Sequence, residues 1–297
     1  MPRQEVHFPT YDGLQLAGTL YNAGEKRPCI IMSNGFSGLR SQFLPNFAER
    51  FQAAGYTVLL YDNRTWGESE GMPRNEVDPV LQTRDYYDAF NYAIALPSVD
   101  PKEVVYWGSS MSGGNALVAT AVNKCVKGVI CQVPFVSTEP MIPVSAALCE
   151  ILLQDRANII QGKEPLMGPV IPASREDVLS GVTQAILKDV NAVEFVEELD
   201  RQNILWERMV SLQSLLHGVT QEPGAVIKRV APRPLLMIVA DQDVTCPVQF
   251  QLSVFNEALP PKKLHIIRGA SHFDPYYGQA FEENIEAQLE YLRGLFE

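Results

Sequence analysis

A short run of small residues directly after an apolar segment constrains this chain more than any other feature. The sequence VVYWGSSMSGGNAL (residues 104–117) joins an apolar run to a helix-like stretch through glycine and serine. A strand that turns sharply into a helix needs such residues, because larger side chains inside the bend would collide with the backbone. The pattern G-x-S-x-S-G-G differs by one residue from G-x-S-x-G, the nucleophile elbow. We therefore expect a serine nucleophile on a strand–turn–helix unit.

Three serines in this stretch compete for that role. If Ser109 were the nucleophile, Trp107 would occupy the cramped position two residues before it. If Ser112 were, Ser110 would occupy that position, and the bend would lie further from the apolar run. Ser110 alone has a glycine, Gly108, at this position. An ordinary Ser/Gly-rich turn would show the same pattern, so the rest of the chain must supply a base, an acid and an oxyanion site.

Length and charge limit the class of protein. With 297 residues, of which 46% are hydrophobic, the chain can form one large α/β domain or two small ones. The net charge of −11 opposes binding to nucleic acid phosphates or to anionic membranes. No apolar stretch approaches the length of a membrane span, and the N-terminal sequence MPRQEVHF lacks the apolar core of a signal peptide. We expect a soluble cytoplasmic protein without nucleic acid or membrane partners.

The cysteines favour the same compartment. The five cysteines are odd in number and widely spaced, and no C-x-x-C motif occurs. This distribution predicts buried, reduced thiols rather than a disulfide framework or a zinc site. Since no H-E-x-x-H or other ligand spacing is present either, we expect no metal and no cofactor.

Apolar runs alternate with helical patterns through the first half of the chain. The runs at 29–33, 57–62, 104–107 and 126–133 are typical of buried strands, and Asp12-Gly13 lies between alternating segments as in a hairpin. This rhythm predicts a doubly wound, mostly parallel sheet with helices on both faces, the fold class α/β.

The rhythm stops after residue 136 and resumes at residue 231. Between them the pattern is mostly helical and broken by prolines. We predict a core formed by 1–136 and 231–297, with 137–230 inserted as a helical cap. Helices are expected at Val144–Asn158, Arg175–Lys188 and Asn191–Leu216.

The base and the acid should lie at the carboxyl ends of late strands, in the chain order serine, acid, histidine. Among the four histidines, His272 is the one in the loop after the last predicted strand. Two carboxylates follow the preceding strand, Asp243 and Asp241. Asp243 is preferred because it precedes a proline in the familiar layout of this turn, Asp241 remains the alternative, and Asp274 is a weaker third candidate. The acid has to orient the imidazole and stabilise its charged form.

An oxyanion hole requires two backbone N–H donors directed at the developing charge. The residue after the nucleophile, Met111, supplies one. The loop NGFSG (34–38) after the first buried strand should supply the other, and its Gly35-Phe36 pair lets the backbone turn inward, so Phe36 is the expected second donor.

These motifs resemble those of the α/β-hydrolases over nearly the whole chain. The matching segments are NGFSG (34–38), YDNRTWGES (61–69), the Ser110 elbow, Asp243-x-x-x-Pro247 and GASHFD (269–274). Within that superfamily the chain resembles the dienelactone-hydrolase-like group. It is more narrowly similar to fungal polyketide transferase and thiohydrolase proteins of secondary-metabolite clusters, through YWGSSMSGGNAL (106–117) and QVPF (132–135). The resemblance implies acyl chemistry on a polyketide or a related ester, and a structural ion pair between Asp62 and Arg64.

The leading prediction is a serine hydrolase that cleaves an ester or thioester through Ser110, His272 and Asp243 and an acyl-enzyme. The second is an acyltransferase or lactonising enzyme, in which an apolar cap containing residues such as Leu205 and Trp206 excludes water and admits an alcohol or amine. The third is a non-catalytic protein that binds a small molecule. The expected partner is a small-molecule ester or thioester, free or attached to a carrier protein. The sequence leaves open whether the chain forms an oligomer.

Overall fold

The computed structural model describes residues 3–139 and 145–296. The strands are β1 (Arg3–Pro9), β2 (Gln15–Tyr21), β3 (Arg27–Ser33), β4 (Thr57–Tyr61), β5 (Val99–Ser109), β6 (Gly128–Gln132), β7 (Met167–Pro169), β8 (Met209–Ser211), β9 (Leu235–Ala240) and β10 (Lys262–Ile267). The helices are α1 (Leu44–Ala53), α2 (Pro79–Ile94), α3 (Met111–Val122), α4 (Ala146–Ile160), α5 (Arg175–Leu179), α6 (Val190–Arg201), α7 (Gln213–Gly218), α8 (Val248–Glu257) and α9 (Gly278–Phe296).

The central element is an eight-stranded sheet in the order β1-β2-β4-β3-β5-β6-β9-β10. The pairs β1–β2 and β2–β4 are antiparallel, and the other neighbours are parallel. The β1–β2 hairpin turns at Gly13, whose φ of +92° lies in the region that favours glycine. The predicted mostly parallel sheet and the hairpin are therefore confirmed.

Both faces of the sheet are covered, as successive side chains of a strand point to opposite sides. On β3, Ile30 packs into a core that includes Phe47 of α1 and Leu292 of α9. The next residue, Ile31, packs into a second core with Tyr86 of α2. Full burial of a side chain of this size contributes about 1.5–3 kcal/mol. Because both faces of β3 are buried, its sequence is a continuous apolar run rather than an alternating one.

The stretch between β6 and β9 departs from its predicted secondary structure. The predicted helix Arg175–Lys188 ends at Leu179, and Gly181 follows with φ +71°. The predicted helix Asn191–Leu216 is wrong, because α6 ends at Arg201 and Asn203 has φ 55°. The chain then forms β8, which pairs with β7 as an antiparallel pair. The spacing of apolar residues favours one long helix here. It carries no information about a residue with a left-handed backbone conformation, such as Asn203, at which a helix ends.

The predicted helix Val144–Asn158 corresponds to α4, which begins two residues later than predicted and ends at Ile160. Val144 itself lies outside the described residues, as do 140–143. In the described ranges, no helix is both long enough and apolar enough to cross a membrane.

Candidate active site

Ser110 lies on the sharp turn between β5 and α3. Its φ of 56° and ψ of −123° are strained for a residue with a side chain, at a typical cost of about 1–3 kcal/mol. Backbone hydrogen bonds hold this conformation: Ser110 N–H donates to the Gln132 carbonyl at 2.9 Å, and the Ser110 carbonyl accepts from Gly113 and Phe135, both at 2.9 Å. The turn leaves the Ser110 side chain half-buried rather than enclosed.

Two glycines allow close backbone approaches around this turn: Gly108 lets β5 approach α3, and Gly114 lets α3 approach the segment after β6. A Cβ on Gly108 would lie 2.0 Å from the Ser112 carbonyl oxygen, and one on Gly114 would lie 2.3 Å from the Phe135 carbonyl oxygen. Both obstacles are backbone atoms, which cannot move aside as a flexible side chain does. The requirement for glycine two residues before Ser110 is therefore a steric property of this turn.

Gly108→Ala is expected to prevent folding or to lower the free energy of unfolding by more than about 3 kcal/mol, because of this backbone clash. The matched control is Gly294→Ala in α9, where an added Cβ meets no heavy atom of the described residues within 4 Å. Alanine is favoured over glycine inside a helix by roughly 1 kcal/mol. Urea unfolding followed by circular dichroism measures the free energy of unfolding of both variants. A Gly108→Ala protein as stable as the wild type would contradict this geometry of the turn.

Ser110, His272 and Asp243 form a hydrogen-bonded row at the carboxyl ends of β5, β10 and β9. His272 Nε2 lies 3.0 Å from Ser110 Oγ, and His272 Nδ1 lies 2.8 Å from Asp243 Oδ2. His272 and Asp243 are only 2% and 3% exposed, so their interaction is screened little by water. These three strands belong to one sheet, and their carboxyl ends bring together three residues that lie apart in sequence.

Neighbouring donors fix the Asp243 carboxylate. Its Oδ1 accepts from the Cys246 N–H at 2.8 Å, and its Oδ2 accepts from Gln251 Nε2 at 3.0 Å in addition to facing His272. A buried carboxylate that accepts several hydrogen bonds is held in one orientation. The side chain is therefore held in place to orient the imidazole.

The competing carboxylates bind elsewhere. Asp241 Oδ1 accepts from the Gly269 N–H at 2.7 Å, and Asp274 Oδ2 accepts from the N–H and the hydroxyl of Ser271 at 2.7 and 2.9 Å. Neither is hydrogen-bonded to His272. Of the three carboxylates considered from the sequence, Asp243 is the one next to the imidazole.

The competing serines are also engaged elsewhere. Ser109 Oγ is fully buried and lies 2.6 Å from the Tyr276 hydroxyl, and Gln132 Nε2 donates to it at 3.1 Å. Ser112 Oγ donates to the Asn34 carbonyl. Of the three hydroxyls, only that of Ser110 is hydrogen-bonded to His272.

The remaining histidines lie away from Ser110. His217 Nε2 pairs with Glu76 at 3.1 Å, a contact that raises the pKa of the imidazole, and His265 pairs with Glu283 at 2.9 Å. His7 is exposed on β1. His272 is thus the histidine that the fold brings to Ser110.

The loop after β3 brings Phe36, one of the two expected oxyanion donors, close to Ser110 and Met111. A Cβ on Gly35 would lie 2.6 Å from Ser110 Cβ, so this loop passes directly over the serine. The Asn34 carbonyl accepts from Asn63 Nδ2 at 2.8 Å and from Ser112, which joins the loop to α3. Within the described ranges, the N–H groups of Phe36 and Met111 donate to no protein acceptor. Both are therefore available to an incoming oxygen.

The ion-pair partner of Asp62 differs from the expectation. Asp62 pairs with Arg40, whereas Arg64 pairs with Asp85 and with Asp12 at 2.8 Å. The predicted ion pair between Asp62 and Arg64 is wrong, because the two side chains leave the turn toward different neighbours. Both remain structural, and neither contacts Ser110.

Two small cavities meet at Ser110. The histidine-side cavity is lined by His272 together with Gln42, Phe195, Trp206, Phe273 and Tyr276. The methionine-side cavity is lined by Met111, Phe135, Ile186, Ser214, Leu215 and Gly218. Phe36, Ser110 and Leu187 border both. The space beside the serine is therefore divided into one aromatic and one mainly aliphatic compartment.

Both cavities are narrow, at about 30 Å³ on the histidine side and 40 Å³ on the methionine side. Each holds no more than a few water molecules. Phe36, Leu187 and Trp206 border them and are half-buried. A larger substrate must displace these side chains to reach Ser110.

The Trp206 indole donates to the Ser37 carbonyl at 2.9 Å, and so connects the stretch between β6 and β9 to the loop after β3. Leu205, by contrast, is 88% exposed and does not line either cavity. Sequence spacing could not separate these adjacent residues. Among the residues that the structure describes, no group of three or more His, Cys, Asp or Glu side chains could hold a metal ion.

Comparison with known proteins finds relatives over nearly the whole chain. A family model described as "Hydrolase_4: Serine aminopeptidase, S33" matches residues 24–273. The chain is 32% identical to polyketide transferase grgF of Penicillium sp over 99% of this chain and 97% of that one. It is 33% identical to a thiohydrolase of Eupenicillium brefeldianum over 99% and 94%. The crystal structure of the alpha/beta hydrolase GrgF from Penicillium sp. sh18 matches with a TM-score of 0.88 and 32% identity, over 99% and 98% of the chains.

Proposed function

The chain belongs to the Hydrolase_4 family of α/β-hydrolases and is an enzyme, and on that premise we propose that it cleaves an ester or thioester of a polyketide or related secondary metabolite through a Ser110–His272–Asp243 triad. The observation that carries the proposal is the hydrogen-bonded row of 3.0 Å and 2.8 Å from Ser110 Oγ through His272 to Asp243. These are distances at which a nucleophile and its base can exchange a proton.

In the first step Ser110 Oγ attacks the acyl carbon, and His272 Nε2 takes the hydroxyl proton. Asp243 accepts a hydrogen bond from His272 Nδ1 and stabilises the imidazolium. Because both partners are almost completely buried, this charge pair forms in a medium of low dielectric constant, where it is worth more than in water.

The carbonyl oxygen becomes negatively charged in the tetrahedral intermediate. The N–H groups of Phe36 and Met111 are proposed to stabilise it, and both are without a protein acceptor among the described residues. Removal of one donor of this kind typically costs about 10²–10³ in rate. His272 then gives its proton to the leaving group, and the acyl-enzyme on Ser110 remains.

In the second half-reaction, water attacks the acyl-enzyme with His272 as the base, and the acid is released. The thiohydrolase name of one relative that aligns over nearly the whole chain supports a thioester substrate. The polyketide transferase name of another supports a polyketide acyl group. The aliphatic walls of the methionine-side cavity suit such a chain.

Acyl transfer is the second candidate function. It uses the same acyl-enzyme, with an alcohol or amine in place of water. The narrow cavities and their half-buried borders at Phe36, Leu187 and Trp206 favour it, because a site that closes over the acyl-enzyme restricts the entry of water. We also propose that residues 137–230, which supply Leu187 and Trp206, act as the cap.

The partition between water and an added acceptor distinguishes the two functions. The enzyme is incubated with one acyl thioester and increasing concentrations of a primary alcohol, and free acid and ester are measured by liquid chromatography and mass spectrometry. Hydrolysis predicts that free acid is the main product at every alcohol concentration. Transfer predicts that ester is formed at the expense of acid from low concentrations onward. Absence of both products from a series of thioesters and esters would contradict the proposal and would favour a non-catalytic binding protein.

A further inference from the structure

The chemistry at Ser110 determines which part of a substrate occupies each cavity; this argument rests on the proposed function. The leaving group has to receive a proton from His272 Nε2, so it must lie on the side of the imidazole. The oxyanion faces the N–H groups of Phe36 and Met111. The acyl chain takes the remaining direction, away from His272. The histidine-side cavity therefore receives the leaving group or acceptor, and the methionine-side cavity receives the acyl chain.

One buried donor beside the histidine-side cavity has no acceptor among the described residues. Gln42 is only 1% exposed, and within residues 3–139 and 145–296 its Nε2 has no hydrogen-bond partner. Buried polar atoms in native proteins are nearly always hydrogen-bonded, so each exception calls for an explanation. Gln42 is one of the residues that line the histidine-side cavity, so an acceptor on a bound substrate group is a candidate partner for this donor.

The orientation of the Gln42 amide follows from its surroundings. Its Oε1 accepts from the Leu39 N–H at 3.2 Å and from Asn34 Nδ2 at 3.5 Å. If the amide were turned over, its NH₂ group would face these two donors. The oxygen is therefore fixed toward the loop, and the NH₂ group is the atom left over.

The other polar side chains that line this cavity already have partners. Asn34 Nδ2 donates to the Leu39 carbonyl at 2.9 Å, and Trp206 Nε1 donates to the Ser37 carbonyl at 2.9 Å. The Tyr276 hydroxyl is bonded to Ser109. Apart from Ser110 and His272, Gln42 thus supplies the free donor among the side chains described around this cavity.

The aromatic walls limit the shape of the group that Gln42 can bind. The Phe195 ring lies 4.9 Å from that of Phe273, 5.6 Å from that of Tyr276 and 6.4 Å from that of Trp206, measured between centroids. Such rings pack well against flat groups. A planar amide or ester has both a flat face and a carbonyl oxygen that accepts a hydrogen bond.

We propose that Gln42 Nε2 binds a carbonyl oxygen of the leaving group, and that the preferred substrates are thioesters whose thiol part carries an amide or similar carbonyl. In the step concerned, the Ser110 Oγ–carbon bond forms and the carbon–sulfur bond breaks. The Ser110 proton passes to His272 and then to the departing sulfur. Gln42 makes its contact with the leaving group alone, so it is a specificity residue for acylation and has no part in deacylation.

The test compares two thioesters of one acyl group: one of N-acetylcysteamine, which carries an amide carbonyl, and one of 1-pentanethiol, which carries none. For the wild type, the preference in kcat/KM, corrected for the rates of both with hydroxide, should be about 10-fold or more, because one buried donor is satisfied only by the first. In Gln42→Met this preference should fall to near unity. Dividing the preference of Gln42→Met for the first thioester by the preference of the wild type cancels the intrinsic difference between the two thiols.

Two further readouts separate recognition from a structural role. The first is hydrolysis of the preformed acyl-enzyme, whose rate should be unchanged within about twofold in Gln42→Met because the leaving group has departed. The second is the variant Leu215→Ala, on the acyl side, which should lower kcat/KM for both thioesters by a similar factor. If Gln42 only supports the loop after β3, both thioesters and deacylation will slow together, and the inference is overturned. Equal corrected rates of the two thioesters with the wild type would overturn it without any variant. Failure of the wild type to cleave either would overturn the proposed function with it.

Discussion

Ser110→Ala is expected to lower kcat/KM for every ester or thioester substrate by about 10⁴- to 10⁶-fold. The hydroxyl is the atom that forms the acyl bond, and no other group described here takes its place beside His272. Alanine tolerates the φ of 56° no worse than serine does, so the fold and the thermal unfolding midpoint should be retained. Steady-state kinetics with an activated ester measures the loss.

The matched control for this change is Ser109→Ala. Ser109 is adjacent in sequence, but its side chain is fully buried and faces Tyr276. Loss of its hydrogen bonds with Tyr276 and Gln132 should cost about 1–3 kcal/mol of stability, and activity should stay within about tenfold of the wild type. An active Ser110→Ala protein with an inactive Ser109→Ala protein would show that the register of the turn is assigned incorrectly.

Asp243→Asn is expected to lower kcat by about 10⁴-fold, whereas Asp241→Asn should remain within about threefold of the wild type. An asparagine at 243 places an NH₂ group or a weaker acceptor opposite the His272 and Gln251 donors, and so disturbs the imidazole tautomer that Ser110 requires. An asparagine at 241 can still accept from Gly269.

Kinetics of the two purified variants, with circular dichroism to establish folding, decides between the carboxylates. Both substitutions remove one negative charge from the same turn, so the general electrostatic effect is matched. A large loss in Asp241→Asn with a mild effect in Asp243→Asn would show that Asp241, rather than Asp243, is the acid. Similar losses in both would indicate that the turn matters as a whole rather than through one carboxylate.

The sheet and the position of Ser110 could be predicted because their signals are local. Gly108 and Ser110 lie within three residues of one another, and the steric requirement for glycine comes from the turn itself. The predicted partners Asp243 and His272 also follow strands directly, and parallel strands place such loops at one edge. Each of these inferences needs only a short segment and a general rule.

The parts that could not be predicted depend on contacts between distant segments. Asp62 forms an ion pair with Arg40 rather than with Arg64, because the loop before α1 folds back onto the end of β4. Trp206 reaches Ser37, which is 169 residues away. No periodicity or motif marks either contact.

The residues that shape the cavities illustrate the same limit. Gln42 lies in an unremarkable stretch before α1, and its significance comes only from having an unpaired NH₂ group beside the histidine-side cavity. Phe195 is one of several apolar residues on the buried face of α6. Its contacts with Phe273 and Tyr276 follow from tertiary packing alone.

Cys246 offers a contrast to Ser110 as a nucleophile near the site. It packs with Met111 and Phe135 beside the turn. Burial raises the pKa of its thiol well above the ordinary value, and the thiolate is the reactive form of cysteine. The thiol is therefore expected to stay protonated and unreactive while Ser110 is acylated.

The most direct test of the account is the mass of a trapped acyl-enzyme. The protein is mixed with a thioester or a fluorophosphonate that is released slowly, quenched in acid and analysed intact and after digestion by mass spectrometry. The account predicts one added group per chain, located on Ser110, with no addition to the Ser110→Ala protein. A group located on Cys246 or any other residue, or no stable addition to the folded wild type, would contradict it.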